Sequence, residues 1–171
     1  VEPLQDGDAA FPAMLGCIDA ARTSVTLATY IFDNDHAGRA FQDALVRARG
    51  RGVEVRVLID DVGARYTRPT MIRVLRAAGV PVAAFLPTRI PRLFRYANLR
   101  NHRKILVVDG RVGFTGGINV RAGHWLSRRP ARPVRCLHFR VDGPVVADMQ
   151  RAFAIDWAFS TGERLGGERW F

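Results

Sequence analysis

The sequence predicts one α/β domain, with a mixed, largely parallel β-sheet flanked by helices on both faces. Its 171 residues are 48% hydrophobic and 25% charged, which is typical of a globular protein. That length supports one sizeable core, because a chain of about 150 residues buries roughly 70% of its unfolded surface. Strand segments alternate with amphipathic helical segments, and this alternation favours α/β layers.

The first half of the chain supplies three helices and three strands. Each helix shows apolar residues on one face, and each strand is rich in β-branched or aromatic residues. The predicted elements are a helix capped by Asp8, a strand over 25–32, a helix over 37–49, a strand over 53–59, a helix over 69–78 and a strand over 81–85.

The second half begins with a basic loop and continues with strands. Asp109 and Gly110 form a hairpin turn signal between two apolar segments. A final helix carries its apolar residues on one face. The predicted elements are a loop over 86–101, strands over 104–108 and 112–115, a second basic loop over 121–135, a strand over 137–141 and a helix over 144–159.

Charge and cysteine content limit the classes of protein. The formal net charge is +10, which suits a polyanionic partner such as nucleic acid or an anionic membrane surface. Cys17 and Cys136 are distant in the sequence, so neither a zinc site nor a disulfide scaffold is indicated, and a reducing compartment is expected. No apolar run approaches the ~20 residues of a membrane span. Because the chain begins with Val1 rather than Met, we expect a part of a longer protein.

One segment carries side chains suited to phosphate chemistry. His102 and Lys104 are two residues apart, so on a strand they face the same side. Asn119 follows the next predicted strand, after Gly116 and Gly117, whose lack of side chains leaves room for a ligand near the backbone. Imidazole, ammonium and amide groups around one point fit a tetrahedral phosphate. Lys104 is the only lysine among 26 basic residues, which suggests a need for a compact ammonium.

The pattern H-x-K, four residues, D, six residues, G-G-x-N resembles the motif of the phospholipase D superfamily. Further segments resemble the amino-terminal half of bacterial cardiolipin synthases, and together they cover nearly the whole chain. These segments are Tyr30-Ile31-Phe32 with Asp35, residues 52–61, residues 101–104 and residues 143–157.

The resemblance implies transfer of a phosphatidyl group to an alcohol through a phosphohistidine intermediate. It also implies that no metal or other cofactor takes part, that the substrate is an anionic phospholipid, and that the protein acts in the cytoplasm, peripheral to the inner face of the bacterial membrane. By position, the expected catalytic residues are His102 as nucleophile or acid, Lys104, and Asp109 in a supporting electrostatic or structural role. Lys104, Asn119 and Gly117 are the expected phosphate ligands, and Arg103 and His138 are expected as supporting residues.

This chain departs from the family pattern at two points. It contains one motif where the family uses two, because His36, His124 and His138 are not followed by a lysine two residues later. The resemblance therefore implies one half of a two-motif protein, or a homodimer. Cys136 stands where related synthases commonly carry an acid. Two alternatives remain open: a homodimeric phosphodiesterase or endonuclease acting on nucleic acid, and a phosphate-binding lobe without catalysis.

Asp60 and Asp61 close a predicted strand at its carboxyl end. We expect them to cap the helix that follows, with binding of a polar head group as the alternative. The first basic loop combines arginines with aromatic residues and is a candidate contact for the phosphates of lipid or nucleic acid. The candidate residues are Arg89, Arg92, Phe94, Arg95, Tyr96 and Arg100 in the loop and Arg103 just after it.

Overall fold

A computed structural model describes residues 1–87 and 100–171. Arg89, Arg92, Phe94, Arg95 and Tyr96 of the first basic loop therefore lie outside the described residues. The described part of the chain forms one sheet, built from β1 (Glu2–Gln5), β2 (Ser24–Thr29), β3 (Glu54–Asp60), β4 (Val82–Phe85), β5 (Ile105–Val108), β6 (Val112–Gly116) and β7 (Leu137–Asp142).

The strand order across the sheet is β1-β7-β6-β5-β2-β3-β4. The mixed α/β sheet is confirmed, but the expectation that it is largely parallel is wrong. Only β2, β3 and β4 pair in parallel, and the other four of the six pairings are antiparallel. A parallel pair needs a long crossover, usually a helix, whereas β5 and β6 are joined by the tight turn at Asp109 and Gly110.

Helices cover both faces of the sheet, as expected. One face carries α1 (Asp6–Ala20), α2 (His36–Gly50) and α3 (Met71–Ala77), and the other carries α4 (Val145–Thr161). Phe11 and Phe41 contact each other edge to face in the first core, and Phe153 stacks on Trp157 in the second. Within residues 1–87 and 100–171, no helix is long and apolar enough to span a membrane.

Two boundaries at the amino-terminal end differ from the prediction. The chain begins with the short strand β1, whose pairing partner is β7. Asp8 lies inside α1 rather than at its cap, and its carboxylate accepts hydrogen bonds from the N–H groups of Leu126 (2.9 Å) and Ser127 (3.0 Å). Asp8 therefore secures the second basic loop against α1.

The end of β2 matters most for the site. The predicted strand extends to Phe32, but β2 ends at Thr29. Phe32 instead forms an isolated bridge with Val120, beyond the end of β6. The tripeptide that follows β2 therefore leaves the sheet at the same end at which the chain enters β5.

Candidate active site

His102 and Tyr30 meet at this end of the sheet. Because β2 and β5 are antiparallel, with Ala28 opposite Ile105, the residues after β2 lie beside the residues before β5. The imidazole of His102 stacks on the ring of Tyr30, with 4.1 Å between the ring centroids and 29° between the planes. The Nζ of Lys104 lies 5.9 Å from the centroid of the same ring. The structure thus brings the two motif residues together around one aromatic side chain.

Lys104 is half-buried and anchored to the neighbouring backbone. Its Nζ donates a hydrogen bond to the carbonyl oxygen of His102 at 2.7 Å, which leaves two of its three protons for another acceptor. Burial lowers the pKa of Lys104, and the nearby Cys136 opposes that shift. A half-buried ammonium with unused donors interacts more strongly with a phosphate oxygen than an exposed one does, because less water screens the charge.

Asn119 is held by the backbone of the segment after β2. Its Oδ1 accepts a hydrogen bond from the N–H of Ile31 at 3.1 Å, and the N–H of Val120 donates to the carbonyl oxygen of Ile31 at 3.1 Å. In the part of the chain that the structure describes, the amide nitrogen of Asn119 has no partner. This nitrogen can therefore donate to an anion bound near Tyr30.

Two carboxylates fix the segment that carries His102. Oδ2 of Asp60, at the end of β3, accepts a hydrogen bond from the N–H of Asn101 at 3.0 Å. Oδ2 of Asp156, on α4, accepts from the Nδ2 of Asn101 at 2.7 Å and from the guanidinium of Arg103. Arg103 and Asn101 thus share the carboxylate of Asp156.

Asp60 caps a short 3₁₀ helix rather than the helix predicted over 69–78, which is observed as α3 and begins after Thr70 without a side-chain cap. Its Oδ1 accepts hydrogen bonds from the N–H groups of Val62 (3.0 Å) and Gly63 (3.4 Å), at the start of the 3₁₀ helix Gly63–Tyr66. The side chain is buried and its two oxygens serve two segments. Asp156 was not predicted from the sequence; the available signal was an acidic residue on the apolar face of the last helix, beside Trp157.

Gly116 and Gly117 pack so closely against the chain at the start of β7 that neither position has room for a Cβ. This packing, rather than a ligand, explains the glycine pair. A Cβ on Gly116, where φ is +145°, would lie 2.7 Å from the carbonyl oxygen of Leu137. A Cβ on Gly117 would lie 2.3 Å from the Sγ of Cys136. The N–H of Gly117 already donates to Leu137 at 3.0 Å, so it is not available to bind a phosphate oxygen.

Asp109 lies at the other end of β5 from Lys104. At about 3.3 Å per residue, the four residues of the strand separate the two by roughly 13 Å or more. The carboxylate accepts hydrogen bonds from the N–H groups of Arg22 (3.0 Å), Thr23 (2.8 Å) and Ser24 (3.0 Å). Burial alone would raise the pKa of Asp109, but these bonds outweigh it and hold the pKa below its usual value. The structure thus gives Asp109 a role in the turn.

His138 is buried behind Lys104. Both line a cavity of only about 10 Å³, together with Met14 and Leu27 of the core. Burial lowers the pKa of His138 to about 4, and the charges of His124 and Lys104 contribute further. The Nδ1 of His138 has no hydrogen-bond partner in residues 1–87 and 100–171. With this lowered pKa, His138 is neutral near pH 7 and lacks the second ring proton that an imidazolium gives to a leaving group.

The remaining histidines do not complete a pair at this site. His124 is buried, its Nδ1 lies 3.1 Å from the carbonyl oxygen of Val134, and burial lowers its pKa. His36 is exposed at the start of α2, with its ring centroid 5.8 Å from that of Trp125. Among the described residues, no imidazole, His102 included, makes a ring contact with a second histidine.

Comparison with known proteins supports the resemblance. A family model for the phospholipase D-like domain of cardiolipin synthase matches residues 14–157. Cardiolipin synthase A from Pseudomonas fluorescens (strain Pf-5) is 40% identical over 164 residues, which cover 95% of this chain and 34% of that protein. A cardiolipin synthase from Oceanobacillus iheyensis is 37% identical over 166 residues, covering 92% and 33%. The chain thus spans about a third of the length of these curated relatives.

Solved structures share the fold. Nuc from Salmonella typhimurium, a phospholipase D family member, superposes with a TM-score of 0.67 at 20% identity, covering 97% of this chain and all of that one. NucT from Helicobacter pylori gives a TM-score of 0.66 at 16% identity with the same coverage. From its family match and its relatives, the chain belongs to the family of phospholipase D-like domains of cardiolipin synthases.

Proposed function

We propose that this chain is one half of a phosphatidyltransferase and that His102 is its nucleophile. The observation that carries the proposal is the exposed His102 imidazole, held by Tyr30 beside the ammonium of Lys104 and the segment bound by Asn119. In the described residues, neither ring nitrogen of His102 has a hydrogen-bond partner, so the ring edge is open to a substrate.

The proposed reaction has two displacement steps. A ring nitrogen of His102 attacks phosphorus, the bond to the leaving alcohol breaks, and an acid protonates the departing oxygen. The oxygen of the acceptor alcohol then attacks the phosphohistidine, its proton passes to the conjugate base of that acid, and His102 is released. Lys104 and Asn119 offset the charge on the non-bridging oxygens in both steps, an effect that usually contributes the largest single share of catalysis.

The acid must be supplied by a second motif. An alkoxide is a poor leaving group, and a general acid is typically worth ~10² to 10⁴-fold in rate. His138 and His124 have lowered pKa values and are buried, so neither is suited to this role. We therefore place this chain as half of a two-motif enzyme, completed by a further segment or by a second copy across a two-fold axis.

An anionic phospholipid at the cytoplasmic face of the membrane is the proposed substrate. The relatives are named cardiolipin synthases, and the net charge of +10 favours an anionic surface. Because Lys104 supplies the positive charge that the phosphate needs, the mechanism includes no metal step. The same charge would also suit nucleic acid, which is the first alternative. The second alternative is a phosphate-binding lobe without catalysis, because Cys136 stands where related synthases commonly carry an acid.

Trapping of the intermediate tests the proposal. With the second motif present, we expect phospholipid labelled at its phosphate to leave an acid-labile phosphoryl group on His102. His102→Ala should abolish the label, and His36→Ala, which removes another exposed histidine, should retain it. Label on a different histidine would refute the assignment. Cleavage of an oligonucleotide without lipid transfer would favour the nuclease alternative, and the absence of both would favour the phosphate-binding lobe.

A further inference from the structure

The second basic loop, residues 121–135, leaves and re-enters the fold at the catalytic end of the sheet. It begins after Val120, whose N–H donates to the carbonyl oxygen of Ile31, and it ends at Cys136, next to Gly117. We propose that this loop docks the protein on an anionic lipid bilayer, with the catalytic site turned toward the headgroups. This inference rests on the proposed function and names the surface that would bring phospholipid to it.

The positive charge of the loop is not offset by acids of the surrounding sequence. Asp109 is the only acidic residue between residues 62 and 141, and it lies at the opposite end of the sheet. Arg135 is exposed, although its Nη1 lies 3.6 Å from a carboxylate oxygen of the buried Asp6. Three further exposed arginines form no ion pair among the residues that the structure describes, namely Arg128, Arg129 and Arg132. Unpaired guanidinium groups bind phosphate through paired hydrogen bonds.

Exposed apolar side chains follow the arginines along the chain. Val134, between Arg132 and Arg135, is 41% exposed, and Leu137 at the start of β7 is 45% exposed. Surface segments that bind anionic membranes combine basic residues, which meet the lipid phosphates, with apolar residues, which enter the boundary of the acyl chains. The end of the loop therefore offers both kinds of contact that an anionic bilayer needs.

The aromatic ring of the loop is engaged inside the protein. Trp125 is the only Trp, Tyr or Phe in residues 121–135, and its ring meets that of Phe11 edge to face at 5.4 Å. The guanidinium of Arg128 lies 5.2 Å from the centroid of the same ring. Single-stranded nucleic acid is bound largely through bases stacked on free aromatic rings, and the loop offers none. A lipid surface therefore fits the loop better than a nucleic-acid strand does.

The loop is ordered by contacts within the protein. The N–H groups of Leu126 and Ser127 donate to the carboxylate of Asp8 on α1. At the far side of the loop, the N–H of Val134 donates to the carbonyl oxygen of Gly123 at 2.8 Å. A preformed surface loses less conformational entropy on binding than a flexible segment does. These contacts therefore favour docking.

Docking at this end of the sheet suits the proposed chemistry. The phosphodiester of a bilayer phospholipid lies in the polar headgroup region, outside the hydrocarbon core. His102 is exposed at the end of the sheet where the loop lies. Arginines bound to headgroups would keep this end of the protein at the membrane surface, so that the substrate is concentrated there without any part for the loop in the displacement steps.

Vesicle binding by catalytically inactive protein tests the surface. The His102→Ala chain is sedimented with phosphatidylcholine vesicles that contain either no phosphatidylglycerol or an equimolar share of it. We expect binding only to the anionic vesicles, and we expect a loop variant in this background, Arg128→Gln/Arg129→Gln/Arg132→Gln, to bind them about 100-fold more weakly, because three charges near the surface are lost. The matched control removes three exposed arginines from the opposite end of the sheet and should lose much less; it is Arg22→Gln/Arg49→Gln/Arg111→Gln. Unchanged binding in the loop variant, or an equal loss in the control, would overturn the proposal.

The apolar side chains distinguish a bilayer from nucleic acid. Val134→Ser/Leu137→Ser should weaken binding to the anionic vesicles by about 10-fold, because two apolar side chains no longer enter the lipid. Binding of a single-stranded oligonucleotide should not change in this variant. If the three arginine substitutions abolish oligonucleotide binding but leave vesicle binding intact, the loop is a nucleic-acid surface and the proposal is wrong.

A turnover assay with the second motif present separates docking from chemistry. The loop variant should lose most of its activity on phosphatidylglycerol vesicles but keep the wild-type kcat on short-chain phosphatidylglycerol below its critical micelle concentration. An equal loss on the monomeric substrate would assign the arginines to the reaction and overturn the docking role. Loop-dependent vesicle binding without lipid transfer from either substrate would support the docking surface and refute the proposed function.

Discussion

Replacing Asp109 separates the structural part of the motif from its chemical part. Asp109→Ala removes one carboxylate that accepts hydrogen bonds from the N–H groups of Arg22, Thr23 and Ser24 and from the hydroxyl of Thr23 (2.9 Å). These bonds join the turn after β5 to the chain just before β2. We expect the variant to be less stable than the wild-type protein but to retain its turnover.

The size of the effect follows from the exposure of the donors. A hydrogen bond to a charged group contributes about 1.5 to 3 kcal/mol, but exposed donors regain water when the acceptor is lost. Arg22 and Thr23 are exposed and only Ser24 is buried. The total loss is therefore about 2 kcal/mol rather than the sum of the bonds. For a domain of this size, that loss lowers Tm by roughly 4 to 8 °C.

The pH dependence provides a second measure of the same carboxylate. The folded-state pKa of Asp109 is lowered, so its stabilising effect is complete above the unfolded-state value of about 3.9 and is lost as the pH falls through the folded-state value. The difference in free energy of unfolding between wild type and Asp109→Ala should therefore be constant near pH 7 and should shrink in acid.

Urea unfolding at pH 7 and at a pH well below the unfolded-state value of about 3.9, combined with a turnover assay below Tm with the second motif present, measures both effects. Asp142→Ala is the matched control, because Asp142 is exposed at the same end of the sheet, opposite Val112, and should change stability by no more than about 0.5 kcal/mol. A loss of turnover of about 100-fold at unchanged stability would show that Asp109 takes part in the chemistry and would refute the reasoning.

Three further substitutions test the site itself. Lys104→Arg should lower kcat by about 100-fold or more at unchanged Tm, because a planar guanidinium cannot replace the compact ammonium; near-normal kcat would contradict this role. The pKa of His138 is lowered to about 4 in the folded protein, so unfolding takes up a proton between about pH 6.5 and pH 4, and the free energy of unfolding decreases as the pH is lowered through this range. In urea unfolding, His138→Gln should remove this pH dependence. An unchanged pH dependence would assign it to other groups. Asp156→Asn weakens the contact with Arg103 and should lower kcat by about 10-fold, because the segment that carries His102 is then less well positioned. Asp148→Asn, on the exposed side of the same helix, is the control and should leave kcat unchanged. Equal rates in the two variants would contradict the positioning role.

Periodic segments allowed the main elements to be predicted closely. The helix predicted over 37–49 is observed as His36–Gly50, and the strand predicted over 53–59 is observed as Glu54–Asp60. The strand β1 could not be predicted, because only Leu4 is buried in it and its ladder with β7 depends on pairing across almost the whole chain. The direction of β5 also depends on its neighbours, which explains the overestimate of parallel pairing.

The candidate site was predictable where the chain itself brings residues together. His102 and Lys104 are adjacent in the sequence, and the turn that joins β5 and β6 places Asn119 at the same end. Asp109 shares the motif's spacing, but one strand length separates it from Lys104. The role of Asp156 could not be predicted, because its bond to Asn101 spans 55 residues and depends on how α4 crosses the sheet.

The bond between Asp156 and Asn101 makes the catalytic segment dependent on the last helix. A fragment that stopped before α4 would still contain every residue of the histidine and lysine motif. Its segment before β5 would nevertheless lose one of its two carboxylate anchors, and Arg103 would lose its ion-pair partner. We therefore expect local opening of α4, by fraying or by proteolytic trimming, to loosen the segment that carries His102 while the hydrogen bonds that join β2 to β3 remain protected from exchange.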